Sequence, residues 1–261
     1  MKAILLAGGY GKRLNPTTKA TNKHLLLVYD KPMFFYPLSL LILLGVKEIL
    51  IISDKETVPK FKKILNGISL LNKKVKIKYQ IQNYANGIPE AFIIGEKFIN
   101  KSKKNILILG DNLFYSNKFV SEVMRYLKKP FGAKIFLYKV NDPKNFGTIN
   151  FDAKKNKIRS LVEKPKNPSN NFAITGLYFF DHNVCKFAKK LKKSKRGELE
   201  ILSLLNIYLK KKQLKFEVLG RGYTWFDLGT FENLLNAQNF VKILQERQGL
   251  QIGNISKDKY L

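Results

Sequence analysis

The apolar positions in the first half of the chain alternate between short aliphatic runs and stretches with helical spacing. The aliphatic runs at residues 2–6, 48–53, 75–82 and 105–109 predict buried strands. The helically spaced stretches predict helices near residues 32–44, 57–65, 88–98 and 118–127. Strands that alternate with helices need crossover connections. The pattern therefore predicts an α/β fold with a doubly wound, mixed but mostly parallel sheet.

The second half has shorter strands separated by turns before helical spacing returns. We predict strands at residues 133–139, 147–151, 158–163 and 172–180. Helices are predicted near residues 183–191, 199–210 and 230–246. The sequence contains no internal repeat or low-complexity linker. We therefore expect a single domain over residues 1–261 with an inserted β-rich section.

Charge and composition narrow the classes of partner. The formal net charge is +29, but the lysines are spread along the whole chain without a basic tail. We therefore keep nucleic-acid binding only as a third alternative, which would show a steep salt dependence of DNA affinity. No apolar run approaches the roughly 20 residues of a membrane helix, so we expect no membrane partner. The single cysteine, Cys185, and the lack of a signal-peptide pattern lead us to expect the cytoplasm.

A glycine-rich loop directly follows the first predicted strand. It reads Gly8-Gly9-Tyr10-Gly11-Lys12-Arg13-Leu14, which is G-G-x-G-x-R-L. This spacing is neither the dinucleotide G-x-G-x-x-G nor the P-loop pattern. Glycines let backbone N–H groups approach an anion closely, and the basic pair adds charge where phosphates would lie. The alternative is an ordinary glycine turn.

An aspartate follows another predicted strand at the same edge of the sheet. Ligands in open α/β sheets bind outside the carboxyl ends of the strands, where Asp111 is expected to lie near the glycine loop. A carboxylate there could hold a divalent metal, although a turn aspartate is the commoner reading of this residue alone.

Taken together, the motifs resemble those of sugar-phosphate nucleotidyltransferases, and among these the thymidylyltransferases that use glucose 1-phosphate. The resemblance covers nearly the whole chain, through Leu250. Besides the glycine loop it is carried by these runs: Thr21-Asn22-Lys23-His24-Leu25-Leu26, Tyr29-Asp30-Lys31-Pro32-Met33, Leu109-Gly110-Asp111-Asn112, Asn145-Phe146-Gly147, Val162-Glu163-Lys164-Pro165, Ala173-Ile174-Thr175-Gly176-Leu177-Tyr178, Arg196-Gly197-Glu198-Leu199-Glu200-Ile201 and Trp225-Phe226-Asp227-Leu228-Gly229-Thr230.

The resemblance implies a Rossmann-like nucleotidyltransferase fold and the synthesis of dTDP-glucose and pyrophosphate from dTTP and glucose 1-phosphate with Mg²⁺. It implies a nucleotide-binding part at about residues 1–130, a sugar-binding part at about 131–230 and a C-terminal helix at about 230–246. It further implies a homo-oligomer, either a dimer or a tetramer, and a product that feeds deoxysugar synthesis for surface polysaccharide.

The resemblance also implies roles for individual residues. Arg13 and Lys23 would be catalytic, acting on the triphosphate, and Asp111 and Asp227 would hold the metal. The nucleotide would be bound by Gly8, Gly9, Gly11, Gln82 and Gly87. The sugar phosphate would be bound by Gly147, Glu163, Lys164, Thr175 and Arg196.

Some positions depart from the usual family pattern. His24 replaces a glutamine, Asn86 and Glu90 replace an aspartate and a glutamine, and Phe146 replaces a tyrosine. These departures leave open a related transferase with another base or sugar. A non-catalytic nucleotide-sugar-binding protein is the other alternative, but it would not need Arg13, Lys23 and both aspartates together.

Overall fold

The computed structural model describes residues 1–68, 75–100, 102–152 and 157–255. The described strands are β1 (Lys2–Leu6), β2 (Leu27–Val28), β3 (Lys31–Pro32), β4 (Glu48–Ser53), β5 (Lys76–Ile81), β6 (Lys104–Leu109), β7 (Asn112–Tyr115), β8 (Ala133–Lys139), β9 (Gly147–Asp152), β10 (Lys157–Glu163), β11 (Phe172–Asp181), β12 (Leu214–Leu219) and β13 (Thr224–Asp227).

The described α-helices are α1 (Phe35–Leu43), α2 (Thr57–Asn66), α3 (Glu90–Ile94), α4 (Glu96–Ile99), α5 (Phe119–Lys128), α6 (Val184–Ala188), α7 (Ile201–Lys210) and α8 (Phe231–Gln248). Short 3₁₀ turns lie at Lys12–Leu14, Thr17–Lys19 and Lys23–Leu25. Within the described parts of the chain, no helix has the length and apolar character needed to cross a membrane.

The main sheet is mixed and has a parallel core. Its strands follow the order β10-β9-β11-β6-β1-β4-β5, with β8 beside β11 and β12 beside β8. Strands β6, β1, β4 and β5 are parallel, whereas β11 runs antiparallel to both β6 and β8. The predicted α/β class with a mixed sheet is confirmed. The parallel core also brings the carboxyl ends of β1 and β6 side by side.

Alternation along β1 shows how the sheet is buried on both faces. Ile4 and Leu6 belong to one apolar cluster, whereas Ala3 and Leu5 belong to another. Successive strand side chains point to opposite faces, so both faces need an apolar cover. Burying each such leucine or isoleucine contributes about 1.5–3 kcal/mol relative to leaving it exposed. This two-sided burial explains why the first strand reads as an unbroken aliphatic run.

The structure differs from the predicted elements at the helix near residues 88–98. This segment forms two short helices, α3 and α4, which meet at Gly95. A Cβ atom on Gly95 would lie 2.8 Å from Cδ1 of Ile4 and 3.1 Å from Cδ2 of Leu50. Gly95, which has no side chain, therefore lets the backbone at this break lie close to Ile4 and Leu50 of the sheet.

The structure also contains a two-stranded ribbon that the sequence pattern did not predict. Strand β13 pairs antiparallel with β7, and the register puts Asp227 opposite Asn112. The ribbon packs with α8 through a third apolar cluster that contains Leu113, Leu228 and Val241. The ribbon therefore brings Asp227 to the loop that follows β6.

Candidate active site

The glycine loop and the Asp111 loop lie side by side at the carboxyl edge of the sheet. Leu6 at the end of β1 pairs with Leu109 at the end of β6, and the Gly110 N–H donates to the Leu6 carbonyl at 2.8 Å. A Cβ atom on Gly110 would lie 2.6 Å from Cδ2 of His24. The loop that carries Asp111 is thus held by a backbone hydrogen bond to the end of β1 and by a close approach to the Lys23–Leu25 turn that only glycine permits.

The glycine loop uses conformations that other residues rarely adopt. Gly9 and Gly11 have φ values of 103° and 58°. A Cβ atom on Gly8 would lie 2.6 Å from Oε1 of Gln82. The loop then enters the turn Lys12–Leu14, which carries Arg13. These glycines allow the sharp path and the close approach of Gln82.

Lys23 and Asp111 form a close ion pair. The Lys23 Nζ atom lies 2.5 Å from Oδ2 of Asp111, and both side chains are largely buried. Burial acts to raise the pKa of Asp111, but the Lys23 charge and hydrogen bonds from Lys23 and Asn112 lower the pKa overall. Asp111 is therefore ionised and acceptor-only.

Asp227 lies close enough to Asp111 for their charges to interact. Burial and the negative charge of Asp111 raise the pKa of Asp227. The Nη2 atom of Arg13 lies 4.0 Å from Oδ2 of Asp227. The structure therefore brings four of the predicted residues, Arg13, Lys23, Asp111 and Asp227, to one point.

The donor set at this point suits a hard divalent cation. No group of three or more His, Cys, Asp or Glu side chains among the described residues could hold a metal by itself. Mg²⁺ is usually held by one or two carboxylates together with waters and substrate phosphates. Asp111 and Asp227 provide those two carboxylates, so the residues present fit such an ion.

Two cavities lie near this charged point. The first cleft, of about 560 Å³, is lined by Gly8, Gly9 and Gln82 among others. The second cavity, of about 230 Å³, is lined by residues that include Arg13, Asp111 and Asp227. We call these the first cleft and the second cavity below. Arg13 follows the loop that lines the first cleft and itself lines the second cavity.

The second cavity is also lined by four of the residues predicted for the sugar phosphate: Gly147, Glu163, Lys164 and Arg196. Lys164 has a positive φ of 44°, and its backbone N–H donates to the Phe146 carbonyl at 3.0 Å. Strained backbone of this kind costs about 1–3 kcal/mol and is concentrated at functional sites. Burial and the charge of Glu200 raise the pKa of Glu163.

Arg196 lines the second cavity together with a cluster of acidic side chains. Its Nε and Nη2 atoms donate to the two carboxylate oxygens of Glu200 at 3.1 and 3.0 Å. Nη2 is also 3.8 Å from Glu198 and 4.0 Å from Glu163. The sequence analysis did not single out Glu198 or Glu200, although both lie in the run that carries Arg196. Their carboxylates orient the guanidinium toward Glu163.

Asn112 is a site residue that the sequence analysis missed. Its Nδ2 atom donates to Oδ1 of Asp111 at 3.0 Å. Its Oδ1 atom accepts from the Gly176 N–H at 2.9 Å and from Nε1 of Trp225 at 2.6 Å. Asn112 therefore orients Asp111 and ties it to β11 and β13. The only signal in the sequence was its position directly after Asp111.

Thr175 and Trp225 differ in their position relative to the second cavity, because Trp225 is among its described lining residues and Thr175 is not. Thr175 is fully buried, and its Oγ1 atom has no hydrogen-bond partner among the described residues. It is flanked by Ile174 and Gly176, which line the cavity. Trp225 lines the cavity and is nevertheless buried, with its ring centroid 5.4 Å from that of Phe146. Trp225 thus forms an apolar wall and belongs to the core.

His24 is a packing residue. It is buried, and its Nδ1 atom lies 2.7 Å from Oδ1 of Asn22. Burial and the neighbouring Lys23 charge lower its pKa to about 3. A neutral imidazole at this position fills the space over Gly110. His24 is not among the described residues that line the first cleft or the second cavity.

Gln82 and Gly87, which were both predicted to bind the nucleotide, have different surroundings. Gln82 is buried just beyond β5 and lines the first cleft. Gly87 has a φ of 100°, and a Cβ atom on it would lie 2.0 Å from the Leu199 carbonyl oxygen. The neighbouring Asn86 carbonyl accepts from the Leu199 N–H at 2.7 Å. The loop after β5 is therefore packed against the loop that carries Arg196.

Comparison with known proteins gives consistent results along the chain. Residues 2–243 match the model of the nucleotidyl transferase family. The chain is 45% identical to glucose-1-phosphate thymidylyltransferase of Neisseria gonorrhoeae, over 97% of this chain and 86% of that protein. It is 44% identical to the enzyme of the same name from Mycolicibacterium smegmatis, again over 97% and 86%.

Solved structures agree with this result. A candidate glucose-1-phosphate thymidylyltransferase of Bacillus anthracis, crystallised with sucrose, aligns with a TM-score of 0.83 and 38% identity, over 92% of this chain and 94% of that one. A UDP-glucose pyrophosphorylase bound to UDP-glucose has a TM-score of 0.78 but 22% identity, over 94% and 99%, and so supports the fold alone. The chain is an enzyme of the nucleotidyl transferase family and belongs to the glucose-1-phosphate thymidylyltransferases.

Proposed function

We propose that this protein transfers a thymidylyl group from dTTP to α-D-glucose 1-phosphate, which gives dTDP-glucose and pyrophosphate. The observation that carries the proposal is the charged point that borders the second cavity, beside the glycine loop that lines the first cleft. Arg13, Lys23, the buried Asp111 and the half-buried Asp227 lie there together. Such a point is needed where two anionic substrates react.

The two cavities support a division of labour between the substrates. The glycine loop and Gln82 line the first cleft, which suits a triphosphate and a base. Glu163 and Lys164 line the second cavity, which suits sugar hydroxyls and a phosphate. A triphosphate in the first cleft with its α-phosphate at Lys23 would face a sugar phosphate held in the second cavity.

The reaction forms one bond and breaks one bond at the α-phosphorus. An oxygen of the sugar phosphate attacks that phosphorus, and the bond to the β-phosphate oxygen breaks as pyrophosphate leaves. The chain's contribution is positioning and charge stabilisation. The Lys23 ammonium would neutralise the α-phosphate, and the Arg13 guanidinium would hold the leaving β- and γ-phosphates. Lys164 and Arg196 would hold the attacking phosphate.

A divalent metal is the cofactor expected of the family, and we propose Mg²⁺. Asp111 and Asp227 would hold it, and when bound it would offset negative charge on the phosphates. Asn112 keeps Asp111 oriented for that task through its Nδ2 hydrogen bond.

Other features of the proposal have their own support. All described residues that line the first cleft precede residue 86, which agrees with a nucleotide-binding part at about residues 1–130 and a sugar-binding part at about 131–230. The exposed apolar side chains Phe231, Leu235 and Ile243 on α8 favour a homo-oligomer, as a dimer or a tetramer. We propose the cytoplasm as its compartment, because Cys185 is a free thiol.

The test is pyrophosphate release across a panel of nucleoside triphosphates and sugar 1-phosphates, with Mg²⁺ and with excess EDTA. We expect the highest kcat/KM with dTTP and glucose 1-phosphate, and loss of turnover with EDTA. Turnover that is highest with another pair would reassign the substrates. A complete lack of turnover with every pair would favour a non-catalytic nucleotide-sugar-binding protein.

A further inference from the structure

Gln82 is held by a neighbouring carboxylate at the wall of the first cleft. Its Nε2 atom donates to Oε2 of Glu90 at 2.6 Å, while its Oε1 atom lies on the side of Gly8. Gln82 is 7% exposed, so an unpaired amide group there would be costly. The orientation of this amide therefore depends on the residue at position 90.

A carboxylate permits only one orientation of this amide. An ionised carboxylate accepts hydrogen bonds and donates none. Rotating the Gln82 amide by half a turn would put Oε1 against Oε2 of Glu90, so two acceptors would meet without a proton between them. Glu90 therefore keeps Oε1 and one remaining N–H of Gln82 available to a ligand.

The other oxygen of Glu90 is also occupied. Its Oε1 atom accepts from Nδ2 of Asn86 at 2.7 Å, and Oδ1 of Asn86 accepts from Nζ of Lys193 at 2.8 Å. Lys193 thus holds Asn86 with its amide nitrogen toward Glu90. The chain of bonds runs from Lys193 through Asn86 to Glu90, and Gln82 donates to Glu90 from the other side.

We propose that Glu90 is a positioning residue that sets the base selectivity of the nucleotide site by holding the Gln82 amide in one orientation. This inference rests on the proposed function, in which Gln82 contacts the base. Thymine and uracil present an N3–H donor beside a carbonyl acceptor. An amide with a free oxygen and a free N–H complements that edge. Cytosine presents an acceptor at N3 beside an amino donor, so it needs the rotated amide.

The same reasoning applies to two positions where the sequence departs from the family pattern that it resembles. In that pattern an aspartate and a glutamine stand where this chain has Asn86 and Glu90. An aspartate at 86 would accept from the amide nitrogen of a glutamine at 90. That glutamine would then turn its carbonyl oxygen toward Gln82. Either pair presents an acceptor to Gln82, so the two substitutions compensate for each other.

This compensation can be tested with a single variant at position 90 and a double variant at positions 86 and 90. In Glu90→Gln, Lys193 keeps the Asn86 nitrogen directed at position 90, so the new glutamine turns its oxygen to Asn86 and its nitrogen to Gln82. The Gln82 amide then rotates. We expect the ratio of kcat/KM for dTTP to that for dCTP to fall at least about tenfold, the effect of one mismatched buried hydrogen-bonding pair. The double variant Asn86→Asp/Glu90→Gln should restore the wild-type ratio.

Binding is measured beside turnover, by calorimetry with dTDP and dCDP on the full chain. This readout does not need catalysis, so it separates a failure of this inference from a failure of the proposed function. Glu246→Gln, an exposed glutamate on α8, is the matched control and should leave both ratios unchanged. Thermal melting checks that each variant is folded.

The inference is supported if Glu90→Gln lowers the preference for thymine and the double variant restores it. It is overturned if Glu90→Gln lowers turnover with dTTP and dCTP by the same factor, as a purely structural role would. It is also overturned if the double variant matches Glu90→Gln, or if the wild-type protein binds dTDP and dCDP equally or binds neither.

Discussion

The Lys23 ammonium lies 2.5 Å from Oδ2 of Asp111, at the point where the glycine loop meets the loop after β6. Asp111 is a proposed metal ligand, and Lys23 is the proposed partner of the α-phosphate. The ion pair keeps Asp111 ionised before substrates bind. The substrate and the metal would then bind to charged groups that are already in place. Little reorganisation of the protein would therefore be needed during the reaction.

Removing the charge of either proposed metal ligand should stop most of the turnover. We expect Asp111→Asn and Asp227→Asn each to lower kcat at least about a hundredfold, because metal charge on the transferring phosphate contributes several kcal/mol. The control is Asp30→Asn, whose carboxylate pairs with Lys31 away from the site. Steady-state kinetics measures kcat, and thermal melting shows whether each variant is folded. If either variant has a near wild-type rate, the aspartate it replaces is not a metal ligand.

The cations should divide between the two substrates. We expect Lys23→Ala and Arg13→Ala to lower kcat more than they weaken binding of glucose 1-phosphate, because in the proposed function their charges would stabilise the triphosphate in the transition state. Lys164→Ala should mainly raise the KM for glucose 1-phosphate. Initial rates with each substrate varied in turn separate the two patterns. An exchange of the patterns would mean that the assignment of cations to substrates is wrong.

Gly87 should tolerate no side chain. Its φ is 100°, and a Cβ atom would lie 2.0 Å from the Leu199 carbonyl oxygen. Gly222 has a φ of 85° but no atom within 4 Å of such a Cβ, so Gly222→Ala isolates the cost of the backbone conformation. We expect Gly222→Ala to lower the free energy of unfolding by about 1–2 kcal/mol and Gly87→Ala to lower it by more.

Chemical denaturation measures both values, and nucleotide binding should weaken only in Gly87→Ala. Equal losses of stability in the two variants would mean that the backbone near Leu199 moves to accommodate the new side chain at little cost in free energy.

The sequence pattern predicted the parallel core well because that signal is local. Strands β1, β4 and β6 are buried on both faces, and their sequences are aliphatic runs. Ligands bind at the carboxyl ends of such strands, and this rule predicted that Asp111 lies beside the glycine loop. The β7–β13 ribbon was missed because its pairing joins residues far apart in the chain. The placement of Asp227 beside Asp111 depends on that ribbon, so the resemblance supplied it and the residue pattern could not.

The polar partners of the site were harder to predict for a similar reason. The link from Asn112 to Trp225 and that from Gln82 to Glu90 depend on side-chain direction, which residue spacing does not give. His24 shows a different case, since its replacement of the usual glutamine left either another base selectivity or a structural histidine open. Burial over Gly110 instead makes it a neutral packing residue.

Base selectivity in the wild-type protein should be weak between dTTP and UTP and strong against CTP. Thymine and uracil share the imide edge that Gln82 would read. dTTP and UTP differ by one methyl group on the base and one hydroxyl on the sugar, and one methyl group gives only about 10–200-fold discrimination in an apolar pocket. CTP should be poor because its N3 acceptor and amino donor would each meet a like group on the amide that Glu90 holds. Measurement of kcat/KM for the three triphosphates with glucose 1-phosphate checks this order. CTP turnover equal to that of dTTP would remove Gln82 as the residue that reads the base.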